Sequence, residues 1–343
     1  MYTTVRIEDA IGLVLAHDVT EIRPGEFKGP AFRKGHRIGA DDICHFQRLG
    51  KSHVYVLAVD ADHLHENDAA LAIAAALCGP GVGFDGEPKE GKLLLTAQRA
   101  GLLTVAVEAL ERFNRLGEIM CASRHTHTRV AAGDVVAGTR AIPLVIRKTV
   151  VQEAVAIAEA QSGIFSVRPL RQARAGVVIT GNEVFHRLIE DRFEAIVRAK
   201  IADLGSETSE VTVAPDDPDI IAAEIRRLIG NGADLILTTG GMSVDPDDVT
   251  REGIRRAGGR ADLYGAPVLP GAMLMVAEIE EVPVVGIPAC AVHHQTTILD
   301  LVLPRILAGE RLARDEIARL GHGGLCLDCP RCRYPLCPFG KGS

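Results

Sequence analysis

Two short stretches combine glycines, hydroxyls and acids directly after apolar runs. TTGGMSVDPDD, residues 238–248, follows DLIL, and TGNEVF, residues 180–185, follows GVVI. Paired glycines let a ligand approach the backbone amides, and the hydroxyl groups supply hydrogen bonds. A phosphate fits where a helix begins, but the acids oppose a bare anion. The combination therefore favours a metal cation, an oxyanion bridged by metal, or a donor-rich ring.

A purely structural interpretation also accounts for residues 245–248. Asp245 is a good helix N-cap, and Pro246 fits the first helical position. Asp248 lies three residues after the cap, where an acid completes a capping box. This interpretation predicts a helix that begins at Pro246.

A second set of reactive side chains lies near the end of the sequence. Cys326, Cys329, Cys332 and Cys337 follow the spacing C-x2-C-x2-C-x4-C. This spacing predicts a metal site rather than disulfides in a cytoplasmic protein. Structural zinc usually takes two separated pairs, whereas the Cys-Pro ending is similar to ferredoxin iron–sulfur patterns with one extra residue. Zinc, an iron–sulfur cluster and plain reduced thiols stay open.

Composition narrows the class of protein. The 343 residues are 47% hydrophobic and 24% charged, as in a globular protein. A formal net charge of -7 argues against a general nucleic-acid binder. The longest apolar run is too short to cross a membrane, and the start MYTTVRIEDA has no secretory h-region. We therefore predict a cytoplasmic protein.

The elements that must position the two loops form a regular series. Apolar strands alternate with amphipathic helices from GVVIT onward, which predicts an α/β fold with a mostly parallel sheet in three layers. The predicted elements are the strand 176–180, a helix 191–204, the strands SEVTV and DLILTT with helices between them, the strands LMVAEI and VPVVGIP, and the helix QTTILDLVLPRIL. Ligands of such sheets bind at the carboxyl ends of the strands, where both loops fall.

The first half of the chain has mixed signals that predict a smaller α+β domain. We expect a strand over 53–59, a helix in NDAALAIAAALC capped by Asn67 or Asp68, a strand and helix in LLTVAVEALERFN, and a strand with a glycine break in GDVVAGTRAIPLVI. The basic stretch RPLRQARA marks a boundary. The predicted domains are 1–170, 171–312 and a cysteine-rich metal-binding tail, 320–343.

The motifs GVVITGNEV, DLILTTGGMSVDPDD, VLPGAML and GIPACAVHHQTT, in this order, resemble the molybdopterin-binding domain of molybdenum-cofactor biosynthesis proteins. They are most similar to the molybdopterin molybdenumtransferases, which insert molybdenum into adenylylated molybdopterin. The resemblance covers about residues 170–310. It implies a molybdopterin-type ligand, with Mg²⁺ and molybdate as further ligands and a homo-oligomer as the assembly.

The resemblance also implies roles for individual residues. Asp248 and Glu183 are the candidate catalytic acids, which handle cation or molybdate. Gly240, Gly241 and Ser243 match the loop that holds the phosphate end, and Pro288 matches a loop that closes over the ligand. The full set of candidate binding residues is Thr180, Gly181, Asn182, Thr239, Gly240, Gly241, Ser243, Asp245 and Pro288.

Departures from the family pattern keep other functions open. The third loop is Ile-Pro-Ala-Cys-Ala at 287–291 where the transferases have Leu-Pro-Gly-Asn-Pro, and the usual C-terminal β-domain is replaced by the cysteine tail. PDDVTRE resembles the competence/damage-inducible branch of the fold, some members of which hydrolyse nucleotide pyrophosphates such as ADP-ribose. Asp247 and Asp248 would then hold a divalent cation. A non-catalytic carrier or sensor that docks on a molybdoenzyme is a further alternative.

Overall fold

A computed structural model of the protein describes residues 2–23, 27–57, 61–243 and 245–342. The chain divides into two compact units. The first comprises Met1–Arg99, Val105–Arg124 and Ala131–Val167; the second comprises Ala100–Thr104, His125–Val130 and Arg168–Ser343. Within the described ranges, no helix is both long and apolar enough to cross a membrane.

Short strands and four helices form the first half of the chain. In chain order they are β1 (Tyr2–Arg6), β2 (Val14–Leu15), β3 (Val19–Arg23), β4 (Phe27–Phe32), α1 (Asp42–Arg48), β5 (His53–Leu57), β6 (His63–His65), α2 (Glu66–Leu77), β7 (Val82–Gly83), β8 (Lys92–Ala97), β9 (Gly101–Val105), α3 (Val107–Asn114), β10 (Ile119–Ser123), β11 (Arg129–Val130), β12 (Val135–Ala141), β13 (Val145–Arg147), α4 (Lys148–Glu159) and β14 (Phe165–Arg168). Within the first unit, a four-stranded antiparallel sheet has the order β10-β12-β8-β7.

Two features of this half, the cap of α2 and the course of β12, differ from the sequence-based prediction. Helix α2 is capped by His65 rather than by Asn67 or Asp68, because its Nδ1 accepts from the Asn67 amide at 3.2 Å. His65 Nε2 then donates to the Gly35 carbonyl at 2.8 Å, which fixes the buried ring. Strand β12 runs through Gly138 without a break. The last two residues of the predicted strand 53–59 lie outside the described ranges.

The second half contains the predicted α/β series. Its elements are β15 (Arg174–Thr180), α5 (Asn182–Phe185), α6 (Phe193–Asp203), β16 (Glu207–Ala214), α7 (Pro218–Gly230), β17 (Leu235–Thr239), α8 (Thr250–Arg256), β18 (Arg260–Tyr264), β19 (Met275–Ile279), β20 (Val282–Ile287), α9 (Ile298–Leu307) and α10 (Arg314–Arg319). The six-stranded sheet has the order β16-β15-β17-β20-β19-β18. Strands β16, β15, β17 and β20 are parallel, whereas β19 pairs antiparallel with both neighbours, which confirms the mostly parallel sheet.

The central strands are apolar throughout because helices cover both faces of the sheet. Val177 and Ile179 of β15 belong to the core that includes α6 and α9, and Val178 belongs to the core that includes α7 and Ile254 of α8. Full burial of each such side chain contributes about 1.5–3 kcal/mol. The alternation of faces along one continuous apolar run is what a parallel central strand requires.

Candidate functional site

The carboxyl ends of three adjacent strands lie at the same level. Ile179 of β15 is registered with Thr239 of β17, and Thr239 is registered with Ile287 of β20. The two acid-bearing loops follow β15 and β17. The third predicted loop follows β20 and begins at buried Pro288. The structure therefore brings the three loops to one edge of the sheet, which we call the ligand edge.

Three buried threonines join the first two loops. Thr180 Oγ1 donates to the Thr239 carbonyl at 2.8 Å and lies 2.8 Å from Thr250 Oγ1. Because the Thr180 proton is used on Thr239, the Thr250 hydroxyl is the donor to Thr180. These bonds tie the end of β15 to the end of β17 and to the start of α8.

The paired glycines of the second loop are required by the packing of the chain on itself. Gly240 has a φ of +83°, and a Cβ there would lie 2.6 Å from the Thr180 carbonyl oxygen. Gly241 has a φ of +57°, and its Cβ would lie 2.3 Å from Thr250 Oγ1. Any larger residue would push the two loops apart, so these glycines set the shape of the ligand edge.

The acidic turn does not begin a helix at Pro246, so that prediction is wrong. The Asp245 amide donates to Asp248 Oδ2 at 3.0 Å, and the Asp248 amide donates to the Asp245 carbonyl at 2.9 Å. Helix α8 begins at Thr250, whose amide donates to the Gly241 carbonyl rather than to a residue of the preceding turn. The bond from the Asp245 amide to the Asp248 side chain is half of a capping box, whereas the Asp248 amide donates to the Asp245 backbone carbonyl and the Asp245 side chain accepts from the Asp247 amide. These bonds close an isolated turn ahead of the helix.

Neighbouring residues hold Met242, which directly follows the paired glycines. The buried Met242 side chain lies across Gly286, where a Cβ would come 2.5 Å from Met242 Cε. Tyr264 Oη donates to the Met242 carbonyl at 2.9 Å, and Arg251 lies over the Tyr264 ring at 4.3 Å. With the loop held from beneath, the Ser243 side chain is exposed at the ligand edge.

Asp216 is a member of the acidic group that sequence reasoning missed. It follows β16, and its Oδ2 accepts from the Asn182 amide at 2.8 Å while its own amide donates to Asn182 Oδ1 at 3.2 Å. Burial raises the pKa of the Asp216 carboxyl, and the bond from Asn182 lowers it in part. Negative charges on Glu183, Asp247 and Asp248 raise this pKa further. The acids of three loops therefore repel one another at one place.

A signal for Asp216 was present in the sequence. PDDPD follows the predicted strand SEVTV and thus falls at the carboxyl edge beside the first loop. Its Asp217 serves as the N-cap of α7, accepting from the amides of Asp219 and Ile220. The capping role explains Asp217 but not Asp216, so Asp216 is the candidate for a role at the ligand edge.

Two hydroxyls at the end of β17 have no hydrogen-bond partner among the described residues. Thr238 Oγ1 and Thr239 Oγ1 are both fully buried. A buried polar group without a partner costs about 1–3 kcal/mol. Thr239 is the last residue of the strand, so its buried hydroxyl lies next to the loops of the ligand edge.

The structure places the tail cysteines on the second unit but does not gather them into a metal site. Cys326 and Cys337 pack against the core around α9, Cys332 Sγ lies 3.2 Å from Thr296 Oγ1, and Cys329 is exposed. Across the described ranges, no three His, Cys, Asp or Glu side chains form a group that could hold a metal ion. The thiols as folded here therefore do not fit a zinc ion or a cluster.

A cavity in the first unit is unrelated to the ligand edge. It has a volume of about 330 Å³ and is lined by small residues of α2 and by Val155 and Glu159 of α4. Its walls do not include any of the predicted ligand residues. We assign no function to it.

Comparison with protein families supports the motif-based resemblance. Residues 176–308 match the family model described as a probable molybdopterin binding domain. The matched segment contains all three loops of the ligand edge, and the predicted resemblance is confirmed. Residues 4–58 match a second family model, described as a domain of unknown function (DUF8806).

Curated relatives match a short part of the chain. A CinA-like protein of Mycolicibacterium vanbaalenii is 38% identical over 96 residues, which are 28% of this chain and 23% of the relative. A CinA-like protein of Mycobacterium tuberculosis is 40% identical over 88 residues, which are 26% of this chain and 20% of the relative. The chain therefore spans less than a quarter of the length of either relative.

Two solved structures illustrate the extent of structural likeness. The molybdopterin biosynthesis enzyme MoaB from Thermus thermophilus has a TM-score of 0.34 at 21% identity and covers 40% of this chain and 98% of its own. The molybdopterin biosynthesis MoeA protein from Pyrococcus horikosii has a TM-score of 0.34 at 14% identity and covers 90% of this chain and 75% of its own.

Proposed function

We propose that the ligand edge binds a molybdopterin-type ligand and that the protein acts in the biosynthesis or handling of the molybdenum cofactor. The observation that carries this proposal is the meeting of two loops inside the matched domain, joined by the Thr180, Thr239 and Thr250 hydrogen bonds. The edge combines the exposed Ser243 hydroxyl, glycine backbone and clustered acids, which suit a phosphorylated, donor-rich ligand.

Each loop has a different task in this proposal. Ser243 and the glycine backbone hold the phosphate end, and Thr239 supplies a buried hydroxyl. Asp248 and Glu183, with Asp247 and Asp216, hold a divalent cation. Mg²⁺ is usually bound through one or two carboxylates together with substrate phosphate and several waters, so it does not require three protein ligands gathered in advance.

The electrostatics of the acids around Asp216 support the proposed binding of a divalent cation. Burial raises the pKa of Asp216 most, and the negative charges of Glu183, Asp247 and Asp248 raise it further, so the ionised form of Asp216 is disfavoured beside these acids. A divalent cation would offset this repulsion and would bridge the acids to an anionic phosphate. Binding of ligand and of Mg²⁺ should therefore strengthen each other.

The first experiment is direct binding of molybdopterin to anaerobically purified protein, with and without Mg²⁺. Asp248→Asn keeps an oxygen for the Asp245 amide while removing the charge, so the turn survives. We expect this variant to lose most of the Mg²⁺-dependent gain in affinity. Glu281→Gln, in the exposed β19–β20 turn, is the matched control. Absence of pterin binding by the unaltered protein would refute the proposal.

Molybdenum insertion is the proposed reaction if the protein is an enzyme. In this reaction the acids would position molybdate and cation against the bound pterin. A carrier or sensor would bind the pterin equally well but show no molybdate turnover. A turnover assay with adenylylated molybdopterin and molybdate therefore separates the two forms of the proposal.

The identity with CinA-like proteins favours a second candidate, a metal-dependent nucleotide pyrophosphatase. Asp247 and Asp248 would then hold the cation that polarises a pyrophosphate, and water would break the phosphorus–oxygen bridge. ADP-ribose is the test substrate. Mg²⁺-dependent hydrolysis, abolished by chelation and by Asp248→Asn, together with no pterin binding, would replace the first candidate by the second.

The cytoplasmic location, the homo-oligomer and a molybdoenzyme partner stay predictions from the sequence. Light scattering on the purified chain measures the oligomeric state directly. A pull-down with a purified molybdoenzyme tests the partner.

A further inference from the structure

Arg251, the second residue of α8, lies against the backbone of the ligand edge. Its Nη2 donates to the Ser243 carbonyl at 3.3 Å, and its Cζ lies 4.3 Å from the centroid of the Tyr264 ring. Tyr264 Oη donates in turn to the Met242 carbonyl at 2.9 Å. The guanidinium is therefore held over an aromatic face, beside the residue that the family resemblance matches to the phosphate end of the ligand.

The fold uses little of the hydrogen-bonding capacity of Arg251. A guanidinium carries several N–H donors in a fixed plane and stays charged at all ordinary pH values. Among the described residues, its hydrogen bonds are limited to the one from Nη2 to Ser243, and Nε is buried without a partner. The side chain as a whole is only partly buried. Hydrogen bonding within the protein therefore does not explain why an arginine stands here.

The positive charge of Arg251 is not matched by a carboxylate either. Arg256, on the same helix, pairs with Glu252 at 3.1 Å and with Asp219 at 2.9 Å. Arg251 has no such ion pair in the part of the chain that the structure describes, although the acidic turn 245–248 comes directly before its helix. The carboxylates of that turn accept from its own backbone amides instead. A positive group and a negative group therefore lie close together at the ligand edge without neutralising each other.

We propose that Arg251 binds a phosphate group of the ligand and thereby selects phosphorylated ligands, with Tyr264 as the positioning residue that holds the guanidinium. For the identity of the ligand this inference rests on the function proposed above. A guanidinium matches a phosphate with two parallel N–H···O bonds, which are charge-assisted and roughly twice as strong as neutral ones. Stacking on an aromatic face leaves the plane of the guanidinium free to make them.

This role explains how an acidic edge tolerates an anion. The acids hold the divalent cation, and Arg251 supplies positive charge directly beside Ser243, where the phosphate end is proposed to lie. The phosphate monoester of molybdopterin and the diphosphate of a nucleotide such as ADP-ribose both present this chemistry. The shared group is a phosphate oxyanion, and the two arms of the experiment below distinguish its source.

A purely structural role for Arg251 predicts a different result. A side chain that only holds the Ser243 backbone in place would affect the affinity of every ligand of the edge to the same extent. A phosphate-binding residue affects only those ligands that carry a phosphate. The difference in affinity between the phosphorylated and dephosphorylated forms of one ligand therefore separates the two roles.

The first arm compares molybdopterin with the same pterin after enzymatic removal of its phosphate, each bound anaerobically to the full chain with Mg²⁺. We expect the parent to prefer the phosphorylated form by roughly 10–100-fold, and Arg251→Gln to reduce this preference by about 10-fold or more. Arg251→Lys keeps the charge without the planar fork and should retain part of the preference. Arg255→Gln, which removes a charge paired with Glu252 at 3.7 Å on the same helix, is the matched control and should retain all of it.

The second arm uses inorganic pyrophosphate, whose binding does not depend on recognition of a pterin. Arg251→Gln should weaken pyrophosphate binding by about 10-fold. Tyr264→Leu removes the ring and should weaken it by roughly 2–5-fold, whereas Tyr264→Phe keeps the ring and should behave as the parent.

The outcomes separate this inference from the function proposed above. Pyrophosphate binding that depends on Arg251, in a protein that binds no pterin, would sink the pterin function, uphold the phosphate site and point to a nucleotide diphosphate. Equal loss of affinity for both forms of the pterin in Arg251→Gln, or pyrophosphate binding that this substitution leaves unchanged, would overturn the role of Arg251 while the pterin function stands. A parent protein that binds neither probe would overturn both.

Discussion

Two groups of charged side chains in the second unit differ in how their charge is balanced. At the ligand edge, burial raises the pKa of Asp216, and the negative charges of Glu183, Asp247 and Asp248 raise it further. Around α9, Glu310 accepts from buried Arg305 at 2.6 Å and lies 3.5 Å from His127 Nε2. Here burial would raise the Glu310 pKa, but hydrogen bonds from His127 and Arg305 outweigh it and hold the pKa at about 2.

The difference separates a group that stabilises the fold from the group that we propose binds a ligand. A buried ion pair with matched partners has little further use for a cation. Clustered acids without a cation are maintained at a cost, which a bound ligand can offset. The comparison therefore supports the proposal that the ligand edge, rather than the better-formed ion pair, is the functional site.

The largest expected effect on stability is at Glu310, whose charge is balanced by Arg305 and His127. Glu310→Ala leaves the Arg305 guanidinium buried and without its main partner, because Glu316 meets Arg305 Nη2 at 3.2 Å without hydrogen-bond alignment. We expect a loss of about 3–5 kcal/mol in the free energy of unfolding, measured by urea denaturation. Glu111→Ala, which breaks an exposed pair with Arg115, should cost less than about 0.5 kcal/mol. Equal costs would remove the distinction between the two groups.

The glycines of the ligand edge should come next. Gly241→Ala combines positive φ with a Cβ only 2.3 Å from Thr250 Oγ1, so we expect a cost of about 2–4 kcal/mol and loss of ligand binding. Gly205→Ala also has positive φ but meets no atom within 4 Å, so it should cost about 1 kcal/mol. Thermal unfolding measures both variants. A cost for Gly241→Ala no larger than that for Gly205→Ala would contradict the packing role.

The pH dependence of stability tests Glu310 separately. Its folded pKa of about 2 lies below the ordinary value of 4.5, so its contribution is present above that value and is lost as pH falls towards 2. Between pH 5 and pH 3 the parent should lose roughly 2 kcal/mol more than Glu310→Gln, which has no proton to bind. Parallel curves for the two proteins would show that Glu310 is not held ionised.

The smallest expected effect on stability is at Asp216, which lies among other acids at the ligand edge. Asp216→Asn keeps an oxygen for the Asn182 amide and removes one of the facing charges. Stability should rise by a few tenths of a kcal/mol, since the carboxyl is partly exposed and screened. Mg²⁺-dependent ligand binding should weaken at the same time. Higher stability with unchanged Mg²⁺ dependence would mean that Asp216 only shapes the Asn182 loop.

The sequence by itself determined the architecture of the second unit. Continuous apolar runs such as GVVIT and DLILTT are long enough to specify strands buried on both faces, and their order places the two acid-bearing loops at one edge. The same local patterns identified most of the candidate ligand residues. The short helix α5 and the strand β18 were missed, because α5 has only four residues and β18 carries no strong apolar alternation.

Only the tertiary structure decided which contacts these residues make. The Asp245 turn has the sequence of a helix start, but the Thr250 amide bonds to Gly241, so the helix begins later. Asp216 joins the acids because β16 lies beside β15, and Cys332 meets Thr296 across 36 residues. Local propensity sets the elements, whereas contacts between distant segments depend on strand order and packing, which no short stretch of sequence encodes.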